Sequence, residues 1–184
     1  FTSDNGPWLP HKLQGGSAGL LRGGKGGTLE GGMRVPAIFW QPGVIAPGVV
    51  AEMGSTLDVF ATAAALAGAT LPADRVMDSR DLGPVLRGTG PSPRDTMFFY
   101  RDTTVYAVRQ GAFKAHFQTR SDYGDATVIS HSPPLLYNVE HDPGEQFDVA
   151  AAHPDVIASI QASLAAHNHD LVRGADQMGG QIAK

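Results

Sequence analysis

Four glycine pairs between residues 7 and 34 constrain this chain more than any other feature. They are Gly15-Gly16, Gly23-Gly24, Gly26-Gly27 and Gly31-Gly32, with Lys12, Arg22, Lys25 and Arg34 interleaved. Glycine loses the most backbone freedom on ordering, so this density argues against a long helix or strand. The spacing is too irregular for a repeat. Two readings remain: a floppy linker, or a long loop that brings backbone and cations close to a ligand. Leu20-Leu21 and Met33 favour the second, because they read as apolar anchors.

The chain has 184 residues, of which 42% are hydrophobic, so it can bury a real core. A net charge of −4 leaves no electrostatic footprint for nucleic acid. No apolar run is long enough for a transmembrane helix. There are no cysteines, which excludes a disulfide framework, Cys-ligated zinc and a Cys nucleophile within this chain.

Val35 to Trp40 is a short apolar run bounded by Pro-Gly turns and reads as a buried strand. Ser55 to Gly68 is the clearest helix. Ser55 or Thr56 can cap it, Asp58 sits in the first turn, and Gly68 is a natural stop. Leu57, Phe60, Ala61, Ala64 and Leu66 supply its apolar face. A short helix is compatible with Asp81 to Leu86, and a boundary is placed near residue 94. Beyond it, Thr96–Tyr100, Val105–Arg109, Phe113–Thr119 and Leu135–Val139 have the β-branched and aromatic content of strands. Gln110-Gly111 suits a hairpin turn. Pro154 can open a last helix with Val156, Ile157, Ile160 and Leu164 on one face, expected to cover one side of the sheet. The last ten residues read as a frayed tail.

Chemistry concentrates at a few positions. In Phe1-Thr2-Ser3-Asp4-Asn5-Gly6, Asp4 and Asn5 place two oxygen donors on a sharp turn, which suits a hard cation and equally suits a plain Asp-Asn-Gly turn. The chain starts at Phe1 without an initiator Met, and the strand leading into this turn is cut short. It is therefore expected to be the downstream part of something larger. Lys25 stands between glycines that leave its reach open, so its ammonium can hold an anionic oxygen or protonate a leaving group, or simply be solvated. His131 precedes Ser132-Pro133-Pro134, prolines that would stiffen a loop around the imidazole. His11 lies near the turn in sequence and stays ambiguous. His141, His153, His167 and His169 show no ligand spacing. No P-loop and no G-x-S-x-G elbow is present.

Together these segments resemble the sulfatase family, in its arylsulfatase A-like branch. The resemblance is carried by FTSDNG at 1–6, GLLRGGKGGTLEGGMRVPAIFWQPG at 19–43, STLDVFATAAALAGA at 55–69 and PPLLYNVEHDPGEQFDV at 133–149. A glycine-flanked lysine followed by E-G-G-x-R-x-P is specific, as is the late L-L-Y-N-x-x-x-D-P-G-E. The resemblance implies an alkaline-phosphatase-like α/β fold, of which residues 1–94 would be the C-terminal remnant. Residues 95–184 would then form a small α+β subdomain with an antiparallel sheet packed by a C-terminal helix. It implies that Asp4 and Asn5 ligate Ca²⁺, or Mg²⁺, that Lys25 contacts the sulfate, and that His131 lies near the substrate. The nucleophile it implies is a hydrated formylglycine made in a C/S-x-P-x-R motif.

That motif is absent from this chain; Ser92-Pro93-Arg94 has the wrong spacing. The family's nucleophile, its first pair of metal-binding carboxylates and its central histidine and lysine belong upstream of the DNG turn. The leading expectation is the C-terminal part of an arylsulfatase-like sulfate-ester hydrolase, inactive without its N-terminal half and weak in cation binding by itself. Two others stand beside it. One is a free-standing binding module that self-associates as a homo-oligomer through an exposed sheet surface. The other is part of a related phosphatase or phosphodiesterase. For the complete protein the resemblance suggests a periplasmic, extracellular or lysosomal setting.

Overall fold

The computed structural model describes residues 1–124 and 127–171. The expected C-terminal tail lies outside the described residues. The core belongs to the C-terminal half. Four strands, β1 (Thr96–Arg101), β2 (Thr104–Gln110), β3 (Phe113–Arg120) and β4 (Val128–Asn138), pair in chain order as an antiparallel meander. Asp102 (φ 53°) and Gly111 (φ 56°) take the left-handed conformations that the two tight turns require. The helix read at Pro154 runs over Pro154–Asp170.

Strand alternation sorts the sheet into two faces. Val108, Ala115 and Leu136 point to one side, where they pack with Ala150 and with Ile157 and Ile160 of the helix. Phe98, Phe113, Phe117, Val156 and Leu164 close the edges of this cluster. The other face carries Arg109, Lys114, His116 and Tyr137, and it too is covered: Lys114 and His116 are fully buried.

β4 is longer than expected and begins well ahead of Leu135. Its register shifts opposite Phe117, because His116 pairs with Leu135 whereas Gln118 pairs with Ser130. Residues 131–134 therefore form a bulge within a strand rather than a loop. A bulge asks no ladder hydrogen bond of its residues, which is how Pro133 and Pro134 are tolerated there.

Three helices, α1 (Glu30–Met33), α2 (Asp58–Leu66) and α3 (Gly83–Leu86), and a 3₁₀ turn over Leu9–Gln14 punctuate the N-terminal half; the C-terminal helix is α4. Two expectations are corrected here. Val35–Trp40 is no strand: it makes one bridge, Thr2 with Ala37, framed by hydrogen bonds between Phe1 and Ile38. With one short neighbour and Pro36 lacking a donor, no ladder propagates. On α2, the buried residues are Asp58, Ala61 and Thr62, whereas Leu57, Phe60 and Leu66 are exposed.

Polar contacts explain that rotation of α2. Asp58 accepts from the Ser55 and Arg80 backbone N–H groups, each at 2.9 Å. It also accepts from Arg94 Nε at 2.9 Å and from an Arg94 terminal nitrogen at 2.5 Å, a bidentate pair buried on both sides. Ser55 Oγ in turn accepts from Leu57 N–H, so Ser55 and Asp58 brace the start of the helix reciprocally.

Candidate functional site

The opening turn and the glycine-rich segment are joined by main-chain bonds. Gly6 N–H donates to Gly32 O at 3.0 Å, Lys25 N–H to Pro7 O at 2.8 Å, and Gly31 N–H to Arg22 O at 2.7 Å. These approaches require bare glycine. A Cβ on Gly6 would lie 1.8 Å from Gly31 O, and one on Gly31 would lie 2.3 Å from Gly23 O. The anchors of the loop are thus buried glycines and Glu30. Leu20 and Met33, expected to anchor it, are exposed, because the segment packs through its backbone.

The turn and the loop enclose an open cleft of about 600 Å³ whose walls include Asn5, Trp8, Lys25 and Arg34. No carboxylate is among its lining residues. The Lys25 side chain is exposed, and its Nζ lies 5.9 Å from the centre of the Trp8 ring. Two cations without an acidic wall suit an anionic group. His11 packs against Trp8, with ring centres 4.0 Å apart.

Asp4 is exposed and adjoins the cleft through Asn5. Among the described residues no group of three or more His, Cys, Asp or Glu could hold a metal ion. Asp4 and Asn5 offer oxygen donors of the right kind for a hard cation, but such an ion takes about six to eight. By themselves they supply at most two of these donors. His131 lies in the β4 bulge, half-buried, with Nε2 hydrogen-bonded to Thr119 Oγ1 at 2.8 Å; it does not line the cleft.

Linked to the cleft through Arg34 is a buried charge network that the sequence reading missed. Glu145 Oε2 accepts from Glu30 N–H at 2.6 Å, and His116 Nε2 meets Glu145 Oε1 at 2.6 Å. Lys114 Nζ sits 2.9 Å from Glu30 Oε1 and 3.4 Å from Glu145 Oε1. Arg109 and Arg34 approach Glu30 Oε2 at 3.9 and 3.7 Å. Burial holds the His116 imidazole below its usual range despite the Glu145 carboxylate beside it. Burial also works to raise Glu145, but the His116 hydrogen bond and the Lys114 charge outweigh it and leave Glu145 below the ordinary carboxylate range. A neutral His116 donating through Nε2 fits this direction, and it fits a buried Nδ1 that has no partner among the described residues. Two carboxylates then face Lys114 and Arg109, a balance that makes the burial tolerable.

A family model described as "Sulfatase" matches residues 1–69, and one described as "C-terminal region of aryl-sulfatase" matches residues 92–183. The chain belongs to the sulfatase family. It is 46% identical to human arylsulfatase A over 181 residues, covering 88% of this chain and 36% of the relative. It is 38% identical to the canine N-acetylgalactosamine-6-sulfatase over 203 residues, covering 97% and 39%. The PsFucS1 sulfatase from Pseudoalteromonas superposes with a TM-score of 0.82 at 28% identity, over 92% of this chain and 36% of that one. The chain spans about a third of the length of these relatives. Sulfatase membership carries the alkaline-phosphatase-like α/β architecture expected from sequence, and the small antiparallel sheet with its C-terminal helix is present as read. No helix among the described residues is long and apolar enough to cross a membrane.

The missed residues of this sulfatase chain had a partial signal. Glu30 and Glu145 are the acidic letters of the two most specific motifs. Lys114 and His116 alternate with Phe113, Ala115 and Phe117, a pattern that ordinarily marks a solvated face. Nothing local shows that this face is buried, because the residues covering it lie 84 and 29 positions away from their partners.

Proposed function

We propose that this chain is the C-terminal portion of a sulfate-ester hydrolase and supplies part of its anion-binding site. The observation that carries the reading is the cleft where Asn5, Lys25 and Arg34 meet without a carboxylate among the lining residues. Lys25 holds an oxygen of the sulfate and withdraws negative charge that would repel a nucleophile. Arg34 presents a second cation from the same wall. Asp4 and Asn5 would hold a Ca²⁺ or Mg²⁺ ion, together with donors from elsewhere in the complete protein. When bound, such an ion neutralises sulfate oxygens and polarises the sulfur. The chain holds no C/S-x-P-x-R sequence, so the nucleophile comes from outside it, and the isolated chain is expected to be inactive.

Hydrolysis of 4-nitrophenyl sulfate tests this. The complete protein should release nitrophenol, the isolated chain should not, and Lys25→Ala in the complete protein should lower kcat/KM by about two orders of magnitude. Turnover by the isolated chain would overturn the division of labour. Preference for 4-nitrophenyl phosphate would move the reading to a phosphate-ester hydrolase.

A further inference from the structure

The tip of the β3–β4 hairpin reaches across to the lysine loop. Asp122 Oδ2 accepts a hydrogen bond from Gly24 N–H at 2.9 Å. The glycines around Lys25 form the space this carboxylate occupies: a Cβ on Gly27 would lie 1.7 Å from Asp122 Oδ1, and one on Gly23 would lie 2.8 Å from Oδ2. Beside it, the Tyr123 hydroxyl donates to Pro7 O at 3.2 Å, the same carbonyl that accepts from Lys25 N–H at 2.8 Å. Consecutive peptide N–H groups, those of Gly24 and Lys25, are thus held by one hairpin tip and the carbonyl it braces.

We propose that Asp122 is a positioning residue for Lys25: its carboxylate, seated among the glycines, sets the backbone from which the lysine reaches into the cleft. The glycine pattern around Lys25 then serves two ends, an open path for the ammonium and a socket for a carboxylate from the C-terminal sheet. A small displacement of such a group from its working geometry is costly, because the ammonium must meet charge where it develops. The proposal rests on the sulfate-binding reading of Lys25.

The experiment is a double-mutant cycle in the complete enzyme, with 4-nitrophenyl sulfate as substrate and thermal melts of every variant. Asp122→Ala should lower kcat roughly ten- to hundredfold. In a Lys25→Ala background the same change should cost no more than about twofold, because the two act through one group. Asp122→Asn keeps an acceptor for Gly24 N–H and should recover most of the activity. Tyr123→Phe removes a single hydroxyl and reads the same clamp if Asp122→Ala does not fold. Multiplicative losses in the double variant, wild-type kinetics for Asp122→Ala, or no recovery by Asp122→Asn would overturn the positioning role. Lys25→Ala without effect on hydrolysis would instead sink the sulfate-binding reading. In that case, amide exchange of Gly24 in Asp122→Ala still decides the clamp: acceleration supports it, and unchanged protection removes it.

Discussion

Glu145→Ala is the most informative perturbation of the buried charge network. Glu145 is fully buried, and its carboxylate is the acceptor for two buried groups. These are Glu30 N–H and His116 Nε2–H, each at 2.6 Å. Lys114 loses its 3.4 Å contact but keeps Glu30 Oε1 at 2.9 Å. Stranding a buried donor costs about 1–3 kcal/mol, so two donors give about 2–6 kcal/mol. Removing one partner from a buried ionic group independently gives about 3–5 kcal/mol. The overlap is about 3–5 kcal/mol, or a fall in Tm of about 6–20 °C for a chain of this size. Urea unfolding and a thermal melt measure the loss. Amide exchange locates it: Glu30 N–H should lose the most protection, while strand amides around Val108 and Ala115, which open only with the whole fold, should lose no more than the global stability change. A loss below about 1 kcal/mol would refute the reasoning, because the stranded groups must then have found water or other partners.

Two further outcomes follow from the same geometry. His116 and Glu145 are both held below their ordinary values, 6.5 and 4.5, so the folded chain binds fewer protons than the unfolded chain below those pH values. Stability should be full above about pH 6.5 and fall as acid is added, first through His116 and then through Glu145; His116→Gln should flatten the upper part of the Tm-against-pH curve, and an unchanged slope would exclude His116 as its source. Asp58→Ala leaves the Arg94 guanidinium buried without its carboxylate and should cost about 3–5 kcal/mol by urea unfolding, part of which Asp58→Ala/Arg94→Leu should restore; a double variant worse than the sum of its parts would contradict the pairing.

Which features were legible in the sequence follows from the range of the forces involved. β1 to β3, the Gly111 turn and α4 are written in local pattern: alternation of period two, a glycine where φ is positive, and apolar residues at helical spacing after a proline. The face of α4 that bears Ile157 and Ile160 was readable for the same reason. Val35–Trp40 misled because apolar content alone secures neither burial nor a pairing partner: Ile38, Phe39 and Trp40 are exposed, and a strand exists only where a neighbour supplies the ladder. α2 misled because Phe60 and Leu66 look like core, whereas the Asp58–Arg94 pair turns the helix so that Asp58, Ala61 and Thr62 face inward. The bulge at His131 was read as a loop because prolines appear alike in both settings.

By itself the sequence determined the family, through motifs that combine glycines, a lysine and acidic residues, and it favoured an irregular loop over a floppy linker for residues 7–34. Only the tertiary structure decided what those glycines pack against. Glu30 meets Lys114, Gly24 meets Asp122, and Lys25 shares the Pro7 carbonyl with Tyr123, contacts made across 84, 98 and 116 positions of sequence. Hydrogen bonds and ion pairs act over a few ångströms, so such partners are set by chain topology rather than by neighbours in sequence.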